Sequence, residues 1–133
     1  IAETYQCLIE RKNIHLLGIK SYEDVPAYGR AFDVCIMPWQ DTEWIDACNP
    51  IKLKEYLALG KPVVSTPFNE LKKYSDVTYS AKTPEDFAIK VKQALSEDTS
   101  EKVKERQDKI RKYTWENKVQ IILDELHLKT DVK

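Results

Sequence analysis

The chain is short of the residues that build redox and metal sites. Its 133 residues include three cysteines, two histidines and one methionine. Cys7, Cys35 and Cys48 are scattered, with no Cys-x-x-Cys pair, so neither a disulfide framework nor a zinc site is expected. Free thiols in a reducing compartment fit that pattern. An excess of either charge is missing too: 21 Lys and Arg stand against 22 Asp and Glu, a formal net charge of −1. No electrostatic footprint for nucleic acid and no polybasic patch for a membrane surface follows from that balance. Long apolar runs are also absent, and none approaches the roughly 20 residues that span a bilayer. The start, Ile1-Ala2-Glu3-Thr4-Tyr5-Gln6, has neither the basic head nor the apolar core of a secretory signal. The cytoplasm is the expected compartment, and a longer parent protein at the inner face of the membrane is compatible with it.

What is present fits one packed domain over residues 1–133: 42% hydrophobic and 10% aromatic residues suit a core rather than a disordered tail. The chain opens without Met inside a polar, helix-like stretch, and is expected to be a piece of a longer protein. Short apolar runs alternate with helical patterns. Asn13 to Gly18 reads as a buried strand closed by glycine, and Asp33 to Pro38 as a second one ended by proline. Lys61 to Thr66 gives a third strand and Val77 to Ser80 a weaker fourth. Between the first two, Ser21 is the expected cap of a helix carrying Val25, Tyr28 and Phe32 on one face. A polar loop is expected from Trp39 to Cys48, then a helix from Pro50 to about Leu59. Asn69 to Tyr74 gives one helical turn. Thr83-Pro84-Glu85-Asp86 opens a helix with the stripe Phe87, Val91 and Leu95. The rest is charged and helical, with a fresh start at Thr114. There Trp115, Val119, Ile122 and Leu126 recur at helical spacing, so residues 114–128 are expected to dock on another surface. The alternation predicts an α/β fold with a parallel, Rossmann-like sheet covered on both faces, one or two strands short of a full set. An open edge of that sheet would offer a dimerisation surface.

The stretch that bears chemistry runs from Asn49 to Val64. Asn49 suits an N-cap, Pro50 the first helical position, and Gly60 the left-handed residue after the helix. This helix follows the second strand, at the edge of an open parallel sheet where ligands bind. Its free N–H groups and partial positive charge suit a diphosphate. Lys52 in the first turn opposes the helix dipole by about 0.3–1 kcal/mol unless an anion is bound. Glu55 can accept hydrogen bonds from two vicinal ribose hydroxyls. From spacing alone, a solvated Lys52–Glu55 pair at i,i+3 is an equal alternative.

Asn49, Pro50, Lys52, Glu55, Tyr56, Ala58, Gly60, Lys61, Pro62, Val63 and Val64 all match one motif, Asn-Pro-x-Lys-x-x-Glu-Tyr-x-Ala-x-Gly-Lys-Pro-Val-Val. The chain resembles glycosyltransferase group 1, the large retaining family 4 of the two-domain GT-B fold, in the subgroup that carries this donor-site motif. The likeness runs in register from about residue 13 to about 120. It implies the C-terminal half of such an enzyme, taking a UDP- or GDP-sugar and transferring the sugar, with retention, to an acceptor hydroxyl. The implied donor site comprises Asn49, Pro50, Ile51 and Lys52 at the diphosphate, Glu55 at the ribose, and Gly18, Ile19 and Lys20 beside the base. Lys52 is the residue expected to act in catalysis, and no metal is expected. The acceptor, a glycan or lipid in polysaccharide biosynthesis, would bind the N-terminal domain. Many members carry another Glu eight positions before the ribose one, where this chain has Ala47; Asp46 or Glu43 stand nearby. Basic donor-site residues of the family fall before residue 1, so weak nucleotide binding and no turnover are expected of this chain alone.

Other features are read as structural. Asp41-Thr42-Glu43 is expected as solvated loop rather than metal motif, His15 as a structural strand residue, and His127 as a cation suited to a helix end. Trp39 either caps the core or leans on base or sugar. Lys102 to Lys112 reads as a solvated helix face, and Cys48 as a small buried residue. Two alternatives stay open. A nucleotide-sugar epimerase of the same fold would share the binding chemistry. A receiver-like signalling domain would echo Lys61-Pro62, but needs an aspartate ending a central strand, and Asp33 begins one.

Overall fold

The computed structural model describes residue 6 and residues 8–126; Cys7, His127 and the other terminal residues lie outside them, as does much of the helix expected over residues 1–12. A 3-10 turn (Tyr22–Asp24) leads into α1 (Val25–Arg30), then β1 (Cys35–Met37), α2 (Glu43–Ala47), α3 (Ile51–Ala58) and β2 (Val63–Ser65). A second 3-10 turn (Glu70–Tyr74), β3 (Tyr79–Ser80), α4 (Pro84–Ser96), α5 (Ser100–Ile110), a third 3-10 turn (Arg111–Tyr113) and α6 (Trp115–Glu125) complete it. The strands form one parallel sheet in the order β1-β2-β3, with Cys35 opposite Val63, Met37 opposite Ser65 and Val64 opposite Tyr79. This is the α/β, Rossmann-like arrangement that the alternation predicted.

Parallel strands need crossovers, and those crossovers supply the core. Leu53 and Leu57 of α3 are buried against Cys35 and Met37 of β1 and Val63 of β2, with Phe68, Leu71, Tyr74 and Ile110 closing the cluster. Leu53 and Leu57 are one helical turn apart and share a face. β2, flanked on both sides, is buried throughout, as a central parallel strand should be. Burial pushes the Cys35 thiol up to about 11. Cys48 is half-buried and packs on the same cluster, in the small-residue role expected of it.

Gly60 fixes how α3 ends. Its φ of +74° is left-handed. The Gly60 amide donates to the Leu57 carbonyl and the Lys61 amide to the Tyr56 carbonyl, the paired bonds of a Schellman cap. A Cβ at Gly60 would also lie 2.6 Å from Val103 Cγ1 of α5. The Gly60 carbonyl accepts a 2.8 Å hydrogen bond from Arg106 Nε, and the Arg106 guanidinium also pairs with Asp98. Arg106 is only 2% exposed. The charged run 102–112, expected as a solvated face, therefore hides one buried anchor.

Other expectations need correction. Residues 13–18 form no strand: the segment is irregular and Leu16 and Leu17 are largely exposed. A strand exists only through a ladder, and no described residue pairs with this run. His15 is accordingly exposed, outside any strand. The supposed loop 39–48 contains α2, whose start is capped by Thr42 Oγ1 accepting from the Ile45 amide at 3.2 Å. Ser21 is not a backbone cap, because its hydroxyl donates to Asp24 Oδ2 at 2.8 Å. The Thr83 and Thr114 starts appear where expected. Trp115, Val119, Ile122 and Leu126 of the last helix are exposed, and no described surface covers them. No described helix is long and apolar enough to cross a membrane.

Two outcomes follow from this packing. Gly60→Ala should lower stability by about 2–4 kcal/mol, the sum of left-handed strain and overpacking against Val103, read as a lower urea midpoint at unchanged slope. The α4–α5 junction adds a pH signature. Glu97 accepts from Lys102 Nζ at 2.9 Å, Gln93 Nε2 at 2.8 Å and Tyr79 Oη at 3.1 Å. Those bonds, the Lys102 one foremost, hold the Glu97 carboxyl at about 2 instead of 4.5. Its contribution to stability is full above pH 4.5 and fades as pH falls toward about 2. A side-chain NMR titration should show that low midpoint, and Lys102→Met should raise it.

Candidate functional site

All three strands run parallel, so Pro38, Thr66 and Ala81 emerge at one edge of the sheet. Thr66 Oγ1 donates to the Trp39 carbonyl at 2.8 Å, and Ser65 Oγ to the Met37 carbonyl at 3.0 Å. These two bonds tie the ends of β1 and β2 together beneath the start of α3. That start lies one residue later than the sequence suggested. Pro50, with φ −67° and ψ 124°, holds the cap position, and no side chain caps it. Asn49 is drawn away instead: its Oδ1 accepts from Lys54 Nζ. Four of the six described helices are capped by threonine, Thr42, Thr83, Thr99 and Thr114. At α3 no such acceptor meets the amides of Ile51, Lys52 and Leu53, which have no intrahelical partner.

Lys52 and Glu55 stand just inside this end. Lys52 Nζ donates to Glu55 Oε2 at 2.7 Å. That bond holds the Lys52 ammonium above the usual lysine range. Two hollows flank the pair. One, of about 510 Å³, is lined by Met37, Pro38, Trp39, Thr42, Trp44, Lys52 and Tyr56. The other, of about 180 Å³, is lined by Gly18, Lys20, Tyr28, Phe32, Lys52, Glu55 and Tyr56. Lys52 and Tyr56 form the wall between them. Sequence reasoning did not name Tyr56, Trp44 or Thr42 as lining residues. The Tyr at that motif position and the threonine cap were the available hints.

Of the expected base-side residues, Gly18 and Lys20 line the smaller hollow. Gly18 has a left-handed φ of +68° and open space around it. Lys20 Nζ lies 5.2 Å from the centre of the Tyr28 ring, a cation–π distance. Ile19 is fully exposed and lines neither hollow. Asn49, Pro50 and Ile51 also stay outside both hollows, at the helix start. Trp39 is half-buried, packs against the core as expected and also lines the larger hollow. Among the described residues no three His, Cys, Asp or Glu side chains gather as a metal group.

The geometry can hold an anion on three free amides and a lysine, beside a carboxylate that accepts from hydroxyls. A family model described as glycosyl transferases group 1 matches residues 2–97. A Bacillus subtilis (strain 168) protein, provisionally named teichuronic acid biosynthesis glycosyltransferase TuaH, is 31% identical over 117 residues. That match covers 84% of this chain but 30% of the relative, so the chain spans under a third of that protein's length. No solved structure matches the chain significantly.

Lys52 sits where two small effects oppose. Its unfavourable place in the first turn costs about 0.3–1 kcal/mol, and its i,i+3 pair with Glu55 returns a few tenths. Lys52→Ala should therefore leave the stability of the ligand-free chain within about 0.5 kcal/mol, measured by urea unfolding at low salt.

Proposed function

This chain belongs to the group 1 glycosyl transferases, and from that premise we propose that it is the donor-binding part of an enzyme that moves a sugar from UDP or GDP to an acceptor hydroxyl. The observation that carries this is the uncapped start of α3 at the sheet edge, with Lys52 and Glu55 on its first turn. The diphosphate would lie against the free amides of Ile51, Lys52 and Leu53, where the helix dipole favours negative charge. Lys52 would then leave Glu55 for a phosphate oxygen, and the freed Glu55 carboxylate would accept from the two ribose hydroxyls. The base would occupy the hollow bordered by Gly18, Lys20 and Tyr28. As the glycosidic bond breaks, charge grows on the departing diphosphate, and preformed donors that need no reorganisation stabilise it most at that moment. Lys52 is the side chain placed to do this, without a metal ion. The acceptor, a glycan or lipid, would be held by residues outside this chain, and retention of anomeric configuration is the expected outcome. The relative's name assigns that protein to teichuronic acid biosynthesis, and a step of polysaccharide biosynthesis is the proposed setting here.

An amide NMR titration with UDP, GDP and CMP, with and without EDTA, tests the site. One of the diphosphates should shift Gly18, Lys20 and the Asn49–Glu55 amides, equally with EDTA present. Lys52→Ala should weaken that binding about tenfold, the loss of one charge-assisted contact. A folded chain whose amides stay unmoved by millimolar nucleotide would overturn the proposal.

A further inference from the structure

Lys54 lines neither hollow beside Lys52, and the motif from Asn49 to Val64 leaves its position open. Three separate segments nevertheless converge on its ammonium. Asn49 Oδ1, just before α3, accepts from Nζ; Glu70 Oε1 of the second 3-10 turn lies at 3.5 Å, and the Tyr113 ring centre at 6.0 Å. Glu70 is a firm anchor, because it is buried and also accepts from Lys73 Nζ at 2.6 Å. The Lys54 side chain is itself only 17% exposed, so it reaches Asn49 as a packed arm rather than a mobile one.

An ammonium can only donate, so the Asn49 atom that meets it is the carbonyl oxygen. That oxygen is the atom through which an asparagine caps a helix. α3 therefore has a competent cap that is turned away from it. The backbone is close to the capped alternative. Pro50 has a φ of −67°, already helical, and only its ψ of 124° keeps it outside α3. Rotation about that one angle would bring Pro50 to the first helical position and Asn49 to the cap. Asn49 Oδ1 would then accept from the amide of Ile51 or Lys52, two of the three that α3 now leaves free.

Resting on the donor-site reading above, we propose that Lys54 is a positioning residue: it keeps Asn49 from capping α3 and so holds the helix start open for the diphosphate. A capped start would oppose that ligand twice. One of its amides would be taken, and an oxygen acceptor would stand where phosphate oxygens belong. Lys54 removes both obstacles without touching the ligand. The exchange favours the open form, because the Asn49 oxygen gives up a neutral amide donor for a cationic one, the stronger partner.

Two measurements on this chain test the role. The first needs no ligand and follows amide hydrogen exchange at Ile51 and Lys52. Lys54→Met should slow exchange at one of them by about three- to tenfold, and adding Asn49→Ala should abolish that slowing. The second is a double-mutant cycle on UDP and GDP affinity, read by amide NMR. Lys54→Met should weaken the nucleotide that binds by about three- to tenfold, the worth of a cap that must be displaced. In an Asn49→Ala background the same substitution should have no effect. Glu70 keeps Lys73 as a partner in every variant, and the same spectra report that each is folded. Loss of charge or of helix packing would weaken binding equally in both backgrounds, and that result overturns the role of Lys54. Unchanged affinity or unchanged exchange in Lys54→Met overturns it too, and the donor site then stands. If neither nucleotide moves α3 in the wild-type chain, the donor site falls and this role falls with it.

Discussion

The buried hydrogen bond from Arg106 to the Gly60 carbonyl is the constraint on which the site depends. It joins α5 to the turn that ends α3 and begins β2. A guanidinium that is 2% exposed is costly to desolvate, and Gly60 and Asp98 offset that cost by accepting from its donors. The left-handed glycine lets α5 approach closely enough for that contact. α3, about 12 Å long at 1.5 Å per residue, is thereby clamped at its far end and along Leu53 and Leu57. Its near end needs no cap of its own to stay in place.

That division of labour explains an inconsistency in the local rules. Thr42, Thr83, Thr99 and Thr114 each satisfy a backbone amide at a helix start. α3, the helix at the sheet edge, has an iminoacid in that position, a lysine in its first turn, and an asparagine turned toward Lys54 instead. Each choice is unfavourable for an isolated helix. Sequences that violate local preferences tend to do so where function requires it, with stability supplied elsewhere. Here it is supplied at the other end of the helix, about two and a half turns away.

The sequence carried much of this because the features involved are local. Gly60 and the spacing of Lys52 and Glu55 belong to one helix, so cap chemistry and period were enough to place them, while Pro50 fell one position from where it was expected. The parallel alternation was equally readable, since Val63, Val64 and Ser65 form an unbroken buried run. What escaped depends on contacts distant in the chain. Arg106 looked like any residue of a mixed-charge run, and only its partner 46 residues away distinguishes it. The run at Ile14, Leu16 and Leu17 has the composition of a strand, yet strand identity belongs to the pairing and not to the segment. Asn49 has the right chemistry for a cap, but Lys54 competes for the same oxygen.

The Lys52–Glu55 pair shows why a structural and a functional role need not exclude each other. The two side chains are 47% and 20% exposed, and an exposed i,i+3 pair contributes only tenths of a kcal/mol. It costs little to break. Arg106 and Asp98, by contrast, hold the fold, and separating them would strand a buried charge. On the donor-site proposal, the weaker pair stands where a ligand with a phosphate and two hydroxyls would satisfy both partners at once. The ion pair would keep each group oriented until such a ligand displaced it. A strong pair there would compete with the diphosphate for the same lysine, so a weak bond between these two residues is what a donor site in this position requires.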